Sequence, residues 1–396
     1  MRHFSLNELL GSYSMRATWR GQLKERRRRR ITFGASLLTI VATLVVPSVL
    51  IAPQSADADH ARSVTQTPLF AVGLARCTFV DRTRPVINYS TTPFSVLSTS
   101  RTLVTEIRYP TQSVASGTNE MAGAPPVERS GGYPMIVFAH GYDVTPDTYA
   151  ALLDAWTRAG FIVVSPFFPD EKSSEVAAQH GANTEGDLVN EPADLTFVTK
   201  AVLQASTIES ASCPIVNGLV ETSEIALAGH SDGATAVGML AYDHGDDPQG
   251  INYAALRTGI DYRAVIILSG EEDSAQSFAN EARRPALLVV HSLADQCNPI
   301  RNGVKLYDDI HQPNKWFLEL RTAHHLPAFD GADPSAFKVV VAVSIRFIQM
   351  SLEGVTASTS LLAYGNEQPS VARMYGNGLG PTLANSPRLV ESCGPN

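Results

Sequence analysis

The residues Gly229-His230-Ser231-Asp232-Gly233 join a short apolar run, residues 225–228, to the helical pattern of residues 234–242. Glycine at both ends of a G-x-S-x-G motif permits a sharp turn from a strand into a helix, which raises the central serine above the sheet. The start of a helix also favours negative charge beside that serine. An ordinary glycine turn with a capping serine is the simpler alternative. The flanking strand and helix favour a nucleophilic Ser231.

Around this turn, apolar runs typical of buried strands alternate with stretches whose apolar residues recur at helical spacing. This alternation predicts an α/β fold, with a mostly parallel central sheet and helices on both faces. Because the alternation is unbroken, we expect one domain rather than two. The expected strands lie at 102–109, 135–139, 161–165, 225–228, 264–268, 286–290 and 317–320. The expected helices lie at 147–159, 190–205, 234–242 and 335–350.

Three stretches lie outside this alternation. Residues 166–188 are mostly polar, so we expect them to cross the carboxyl end of the sheet as a loop that contacts substrate. Phe167 and Phe168 open this loop and are expected to border the bound acyl group. Residues 112–132 are expected to form a surface excursion, and residues 353–396, with scattered glycine and proline, an irregular tail.

The first 58 residues are expected to direct export. The basic run 26–30 precedes the uncharged residues 31–52, and small residues follow up to Ala58. This order is typical of a secretory signal, with cleavage after Ala58. A run of about 20 apolar residues can also span a bilayer, so an uncleaved membrane anchor at 31–52 is the alternative. Both alternatives predict a secreted or extracytoplasmic protein, in which residues 59–352 form the α/β domain with an N-terminal extension.

Charge is distributed unevenly along the chain. The net charge is −8 overall, whereas residues 1–30 alone carry +7, so the remainder of the chain carries −15. Affinity for nucleic acid depends on clustered positive charge, and such an acidic body excludes a nucleic-acid partner. The basic run directly precedes an apolar segment of membrane length, which indicates targeting rather than binding of nucleic acid.

The chain has four cysteines, Cys77, Cys213, Cys297 and Cys393. Disulfides persist in oxidising compartments, so export makes disulfide bonds the expected state. Four cysteines allow three pairings, and the sequence leaves the choice open. A bond between Cys297 and Cys393 would tie down the C-terminal tail. Four buried, reduced thiols are the alternative.

A serine nucleophile requires an imidazole and a carboxylate elsewhere in the chain. Asp295 follows one expected strand, and His324 and His325 follow the next. The order serine, aspartate, histidine is typical of one class of hydrolases. We therefore predict Ser231 as nucleophile, His325 as base and Asp295 as the orienting acid. His324 is the alternative base, and a carboxylate among residues 271–273 is the alternative acid.

Four motifs together resemble those of the α/β-hydrolase superfamily. They correspond to its nucleophile elbow, oxyanion loop, acid turn and histidine turn, and they lie at 229–233, 140–142, 292–295 and 322–325. Two weaker motifs resemble its dienelactone hydrolase-like branch, namely Arg101-Thr102-Leu103 with Tyr109-Pro110, and Glu191-Pro192-Ala193-Asp194. That branch includes platelet-activating-factor acetylhydrolase-like and chlorophyllase-like esterases. The likeness covers roughly residues 101–350, and Thr322 stands where the histidine turn often has glycine.

This resemblance implies ester hydrolysis in two steps. Ser231 attacks the ester carbonyl while His325 accepts its proton, Asp295 orients the imidazole, and water then hydrolyses the acyl-enzyme. The backbone N–H groups of Tyr142 and Asp232 are the expected oxyanion donors. Because the base must be neutral, activity is expected to rise with pH through about 6 to 7.

The expected substrate is a small-molecule or lipid-like ester, and this mechanism requires no metal or organic cofactor. A polyester hydrolase or lipase of the same fold is one alternative. Another is a non-catalytic surface protein that uses the scaffold for binding. A metal held by His324 and His325 is disfavoured, because consecutive residues seldom both face one ion.

Overall fold

The computed structural model describes residues 70–89, 91, 93–112, 120–178, 185–208, 212–243, 251–271, 285–376 and 379–381. The chain divides into two compact units, Met1–Pro68 and Leu69–Asn396. Every described residue belongs to the second unit. The expected signal or anchor segment, residues 1–58, lies outside the described residues.

Ten strands of the described chain form one sheet, and two more form a separate hairpin. The strands are β1 (Ala71–Asp81), β2 (Val86–Asn88), β3 (Ser95–Ser98), β4 (Arg101–Thr111), β5 (Met121–Ala122), β6 (Tyr133–Ala139), β7 (Ile162–Pro166), β8 (Val220–His230), β9 (Tyr262–Leu268), β10 (Ala286–Ser292), β11 (Lys315–Leu320) and β12 (Ala372–Tyr375). The hairpin consists of β2 and β3.

Helices connect most of these strands. They are α1 (Ala150–Arg158), α2 (Ser173–Ala178), α3 (Glu191–Thr207), α4 (Asp232–Tyr242), α5 (Tyr253–Arg257), α6 (Ile300–Asp309), α7 (Pro327–Asp330), α8 (Pro334–Ile348) and α9 (Ser358–Gly365). Short 3₁₀ turns lie at Pro146–Tyr149, Glu185–Asn190 and Pro214–Val216, and a π-helical turn, Gln349–Glu353, extends α8.

The order of strands in the sheet is β12-β11-β10-β9-β8-β6-β7-β4-β1-β5. All pairings between β6 and β11 are parallel, whereas β4 pairs antiparallel with β7 and β12 antiparallel with β11. The predicted α/β fold with a mostly parallel central sheet is therefore confirmed. The chain passes from β6 to β7 on one side and then to β8 on the other. Such a reversal opens a crevice at the carboxyl ends of the strands.

The core has two layers, one on each face of the sheet. In β6, Met135 and Val137 face one layer and Ile136 and Phe138 the other, and all four are fully buried. Strands covered on both faces require this continuous apolar sequence. Helices α3, α4 and α6 contribute to the first layer, and α1 and α8 to the second. The prediction of helices on both faces is also confirmed.

One helix of the described chain, Pro334–Glu353, is long and apolar enough to cross a membrane by length and composition alone. This helix consists of α8 and its π-helical extension. Its residues Val340, Val343 and Phe347 are fully buried in the second layer of the core. We therefore assign it as a core helix of the α/β domain.

The C-terminal segment differs from the expected irregular tail. Residues 353–376 include helix α9 and strand β12, and β12 extends the sheet beyond β11. Ala372 and Met374 are buried, and Met374 packs so closely on Gly365 that a Cβ atom there would lie 2.4 Å from the Met374 Cβ. Four strand residues among glycine, proline and asparagine carry too weak a periodic signal to predict. Residues 382–396 lie outside the described chain.

A disulfide bond joins Cys77 in β1 to Cys213, with a Cα–Cα distance of 5.3 Å. Cys213 directly precedes the 3₁₀ turn that leads into β8. The expected disulfide chemistry is therefore present. Cys297 is also disulfide-bonded. The expected alternative partner, Cys393, lies outside the described residues.

A fully buried arginine ties β4 to α3 and to the turn before it. Arg101 has no exposed surface and forms ion pairs with Asp187 at 2.7 Å and Asp194 at 2.6 Å. Burial lowers the pKa of Arg101, but the two carboxylates outweigh this effect and raise it above its ordinary value. Breaking such a pair is costly, because the remaining charge stays buried without compensation.

We expect Arg101→Met to lower the free energy of unfolding by about 3–5 kcal/mol, because it leaves the buried carboxylate of Asp187 without its cation, whereas Asp194 keeps its ion pair with Arg84. Arg76→Met is the matched control. Arg76 also pairs with a buried carboxylate, Glu106, but its own side chain is 56% exposed, and Glu106 keeps a second ion pair with Arg108. The control should lose less than about 1 kcal/mol. Urea denaturation followed by circular dichroism measures the free energy of unfolding of both variants. Equal losses would contradict the structural role given to the buried Arg101.

Candidate active site

The G-x-S-x-G motif forms the sharp turn that the sequence predicts. β8 ends at His230 and α4 begins at Asp232, so Ser231 alone makes the turn. Its φ is 54° and its ψ is −123°, a conformation that a residue with a side chain seldom adopts. Such strain persists only where the surroundings impose it, and it is frequent at active sites.

The two glycines of the motif are required by close packing. A Cβ atom at Gly229 would lie 2.4 Å from the backbone oxygen of Gly233. A Cβ atom at Gly233 would lie 2.4 Å from the backbone oxygen of His140. Each contact is too short for any other residue. The contact at Gly233 packs the start of α4 against the end of β6. The loop after β6 therefore lies beside the serine.

Asp295 and His325 form a hydrogen-bonded pair. The Nδ1–H of His325 lies 2.9 Å from Oδ2 and 3.0 Å from Oδ1 of Asp295. The loops after β10 and β11 carry these two residues. The Asp295 side chain is buried and also accepts hydrogen bonds from the backbone N–H groups of Cys297 and Asn298, each at 2.9 Å. The pair leaves Nε2 of His325 available as a base.

The carboxyl of Asp295 is held in its charged form. Burial raises its pKa, but the hydrogen bond from His325, the electrostatic interactions with the rings of His325 and His291, and the N–H of Asn298 together outweigh burial. The pKa of Asp295 therefore lies below its ordinary value. An ionised carboxylate at this position fixes the tautomer of His325 with the proton on Nδ1.

The alternative residues lie elsewhere. His324 is exposed to solvent, whereas His325 is partly buried and bonded to Asp295. Glu271 accepts a hydrogen bond from the side-chain amide of Asn302 at 2.6 Å. Residues 272 and 273 lie outside the described chain.

His230, the residue before Ser231, contacts His325. Within the described residues no hydrogen bond joins the side chains of Ser231 and His325. The ring of His230, however, lies 4.6 Å from the ring of His325, centroid to centroid. The Nε2–H of His230 also donates to the backbone oxygen of His325 at 3.0 Å. The serine and the acid–base pair therefore lie at the same end of the sheet.

The loop after β6, which carries the expected oxyanion donor, passes directly beside the serine. A Cβ atom at Gly141 would lie 3.0 Å from the Cβ of Ser231. Tyr142 follows Gly141, and Asp232 follows Ser231 at the start of α4. The structure thus brings Gly141, the residue before the expected donor Tyr142, next to the nucleophile.

A buried histidine fastens this oxyanion loop to the long loop after β7. The Nδ1–H of His140 donates to the backbone oxygen of Gly141 at 2.8 Å, and its Nε2 accepts from the N–H of Phe168 at 3.0 Å. Burial lowers the pKa of His140 to about 4, although the bond to Gly141 acts in the opposite direction. The neutral ring can therefore both donate and accept. The N–H of Asp143 adds a third link, to the backbone oxygen of Glu171 at 3.0 Å.

The expectation that two aromatic residues border the substrate is not met for Phe168. Phe168 is fully buried and packs on the ring of His140 at 4.7 Å, so it cannot reach a bound ligand. The guanidinium carbon of Arg76 lies over the ring of Phe167, 5.6 Å from the ring centroid. The structure uses Phe168 to support the oxyanion loop. Aromatic residues at the start of a polar loop do not reveal from sequence which way they point.

One group of side chains meets a simple criterion for a metal site. Asp295, Cys297 and His325 offer ligand atoms within 4.8 Å of one another. The sulfur of Cys297 is committed to a disulfide bond, and a thiolate is the form that binds metals. The other two residues are hydrogen-bonded to each other. This donor set fits an acid–base pair rather than a metal ion.

Sequence reasoning missed Tyr149, whose hydroxyl lies 2.8 Å from Nδ1 of His230 although the two residues are 81 positions apart. It also treated His230 only as a variable position of the motif. No spacing rule connects these residues, because the 3₁₀ turn before α1 and the end of β8 meet only in the folded chain.

Comparisons with known proteins concern the fold and part of the sequence. The sequence model of a family described as chlorophyllase matches residues 99–266, which is less than half of the chain. None of the curated protein sequences matches. Among solved structures, the fold is similar to that of a ferulic acid esterase from Streptomyces cinnamoneus. That likeness has a TM-score of 0.54 at 16% identity and covers 73% of this chain and 92% of the other.

A structural likeness at this level of identity shows the fold alone, and the family match covers the part of the chain from β4 to β9. The strand order, the turn at Ser231 and the parallel strands around it fit the same architecture. The chain therefore has the fold of this esterase, and over residues 99–266 its sequence is similar to the family described as chlorophyllase.

Proposed function

We propose that this protein is an exported serine carboxylic-ester hydrolase. The observation that carries the proposal is the buried, ionised Asp295, bonded to Nδ1 of His325 beside the strained turn at Ser231. An imidazole oriented in this way presents a neutral Nε2 to the nucleophile, which a serine requires before it can attack a carbonyl. The fold alone would support many other functions.

In the first step, His325 Nε2 accepts the hydroxyl proton as the oxygen of Ser231 bonds to the ester carbonyl carbon. The negative charge moves to the carbonyl oxygen, where the backbone N–H groups of Tyr142 and Asp232 stabilise it. The carbon–oxygen bond to the alcohol then breaks. His325 returns its proton to the departing alkoxide, which leaves an acyl group on Ser231.

In the second step, His325 removes a proton from water, and the hydroxide oxygen attacks the acyl carbon. The bond to Ser231 breaks, and the serine oxygen takes the proton back. The carboxylic acid product leaves, and the enzyme is unchanged. Asp295 stays ionised throughout and stabilises the imidazolium that forms in each step.

The missing hydrogen bond between Ser231 and His325 is compatible with this mechanism. Catalytic hydrogen bonds are often long or poorly aligned without substrate and tighten when it binds. Rotation of the Ser231 side chain about one bond changes the direction of its hydroxyl without moving the backbone. The backbone positions of both residues are already fixed, by the helix start and by the bond from His230.

The substrate class we propose is a small-molecule or lipid-like ester. The chain resembles a family described as chlorophyllase over residues 99–266. Its fold resembles that of a ferulic acid esterase. Both likenesses support ester chemistry at this site, and neither defines the acyl or alcohol group that this protein accepts.

The disulfide bonds support export. Cys77 is bonded to Cys213, and Cys297 is also disulfide-bonded. Disulfide bonds persist in oxidising compartments and are rare in the cytosol. We therefore propose that residues 1–58 direct the chain out of the cytoplasm, either as a cleaved signal or as an anchor at 31–52. The N-terminal sequence of the mature protein distinguishes these two forms.

We expect Ser231→Ala and His325→Ala to lower kcat on nitrophenyl esters by about 10⁴-fold or more, because each removes a member of the triad. His324→Ala is the matched control, since it removes an adjacent, exposed histidine. It should leave kcat within about a factor of two, as substitutions at the surface usually do. Equal turnover by the wild type and Ser231→Ala would end the proposal. Loss of activity only in His324→Ala would show that His324, and not His325, is the base.

We expect log(kcat/KM) to rise with pH with a slope of one and then to level off, because only a neutral imidazole can accept the serine proton. The pKa of Asp295 lies below its ordinary value, so its carboxylate is already charged where this rise occurs. Protonation of the base alone then limits activity on the acid side. A pH–rate profile of the purified protein tests this expectation. A flat profile, or a slope of two, would contradict it.

A further inference from the structure

Three hydrogen bonds connect the oxyanion loop to the histidine loop by way of the elbow. The backbone N–H of Gly141 lies 3.2 Å from the hydroxyl oxygen of Tyr149. That hydroxyl lies 2.8 Å from Nδ1 of His230. Nε2 of His230 lies 3.0 Å from the backbone oxygen of His325. The chain of bonds begins at one side of Ser231 and ends at the base.

The direction of every bond in this chain is fixed by chemistry. A backbone oxygen can only accept, so Nε2 of His230 carries the proton and donates to His325. In a neutral ring Nδ1 then lacks a proton and accepts from the hydroxyl of Tyr149. The tyrosine oxygen in turn accepts from the N–H of Gly141. In a charged His230 the bond would reverse, because Nδ1–H would donate to the tyrosine oxygen and the tyrosine proton would lose this acceptor.

The surroundings keep both side chains in the required form. Tyr149 is fully buried and His230 is 2% exposed. Burial, reinforced by the nearby His325, lowers the pKa of His230 well below its ordinary value. Burial also raises the pKa of Tyr149 above its ordinary range. Phe329 packs on the His230 ring at 4.9 Å, which excludes water from the bonds.

We infer that His230 and Tyr149 are positioning residues that hold the oxyanion loop and the catalytic base at fixed positions relative to Ser231. The inference rests on the proposed function, because it assigns a role to residues that touch the active groups and not the substrate. Tyr149 fixes the loop next to the expected oxyanion donor, and His230 fixes the backbone of the base. A displacement of about 1 Å at either point is enough to reduce the rate about 10²-fold.

The first test removes one hydroxyl oxygen. We expect Tyr149→Phe to lower kcat on a nitrophenyl ester about 10- to 100-fold, with KM changed less than about threefold, since positioning affects the transition state more than ground-state binding. Tyr262→Phe is the matched control. Tyr262 is a buried tyrosine whose hydroxyl donates to Thr199 at 3.2 Å, away from the site. The control should leave kcat within about a factor of two.

The second test cuts the two bonds of His230 separately. In His230→Asn, the amide oxygen can replace Nδ1 as the acceptor for Tyr149, but the side chain is too short to reach His325. In His230→Gln, the amide can reach His325, but nothing replaces the Nδ1 acceptor. We expect each to lower kcat about tenfold or more. Tyr149→Phe should then add a smaller loss to His230→Gln, where only its bond from Gly141 remains, than to His230→Asn, where both of its bonds remain.

Labelling of Ser231 by a nitrophenyl phosphate ester distinguishes the possible failures, because it requires the nucleophile and base but no turnover. If wild type and Ser231→Ala react at the same rate, the proposed function is wrong. If Ser231 is essential but Tyr149→Phe matches Tyr262→Phe in kcat, only the positioning role is overturned. Thermal unfolding is measured on every variant. If Tyr149→Phe does not fold, the kcat of His230→Gln is compared with that of Tyr262→Phe instead. Equal values would then overturn the positioning role.

Discussion

The close contact between the backbone of Gly233 and the end of β6 is the constraint on which the rest of the site depends. A Cβ atom at Gly233 would lie 2.5 Å from the backbone oxygen of Ala139, so α4 can begin here only without a side chain. That contact leaves Ser231 at positive φ. It also leaves the ring of His230 within hydrogen-bond distance of Tyr149. The glycine at position 233 thereby allows the close packing that positions the nucleophile and the groups around it.

Charge in the site is concentrated on a single buried carboxylate. Asp295 would be unfavourable in this environment without the bonds from His325 and from two backbone N–H groups. The other buried rings nearby, His140, His230 and His291, all have pKa values lowered by burial. They serve as neutral donors and acceptors. The site therefore contains several histidines, of which only one is paired with a carboxylate by a hydrogen bond.

Periodic apolar patterns predicted the parallel strands from β6 to β11, and motif order named Asp295 and His325, which the structure joins by a hydrogen bond. What could not be predicted depends on packing between distant segments. Phe168 looked like a ligand contact and instead supports His140. Helix α6 was missed because Gly303 weakens its pattern, yet a Cβ atom there would lie 2.2 Å from Nδ1 of His291. Strand β12 is defined by two buried residues, Ala372 and Met374, too few to form a pattern.

The bonds that hold His325 explain why losing one hydrogen bond should lower activity much more than it lowers the stability of the fold. Its ring is held by Asp295, on the loop after β10, and its backbone by His230, at the end of β8. A typical hydrogen bond contributes only about 1 kcal/mol to stability, a small part of the roughly 5–15 kcal/mol that stabilises a domain. Losing one therefore leaves the chain folded. The same loss allows the base to move, and about 1 Å of movement reduces the rate about 10²-fold. Selection on catalysis can thus maintain bonds whose contribution to stability is too small to matter.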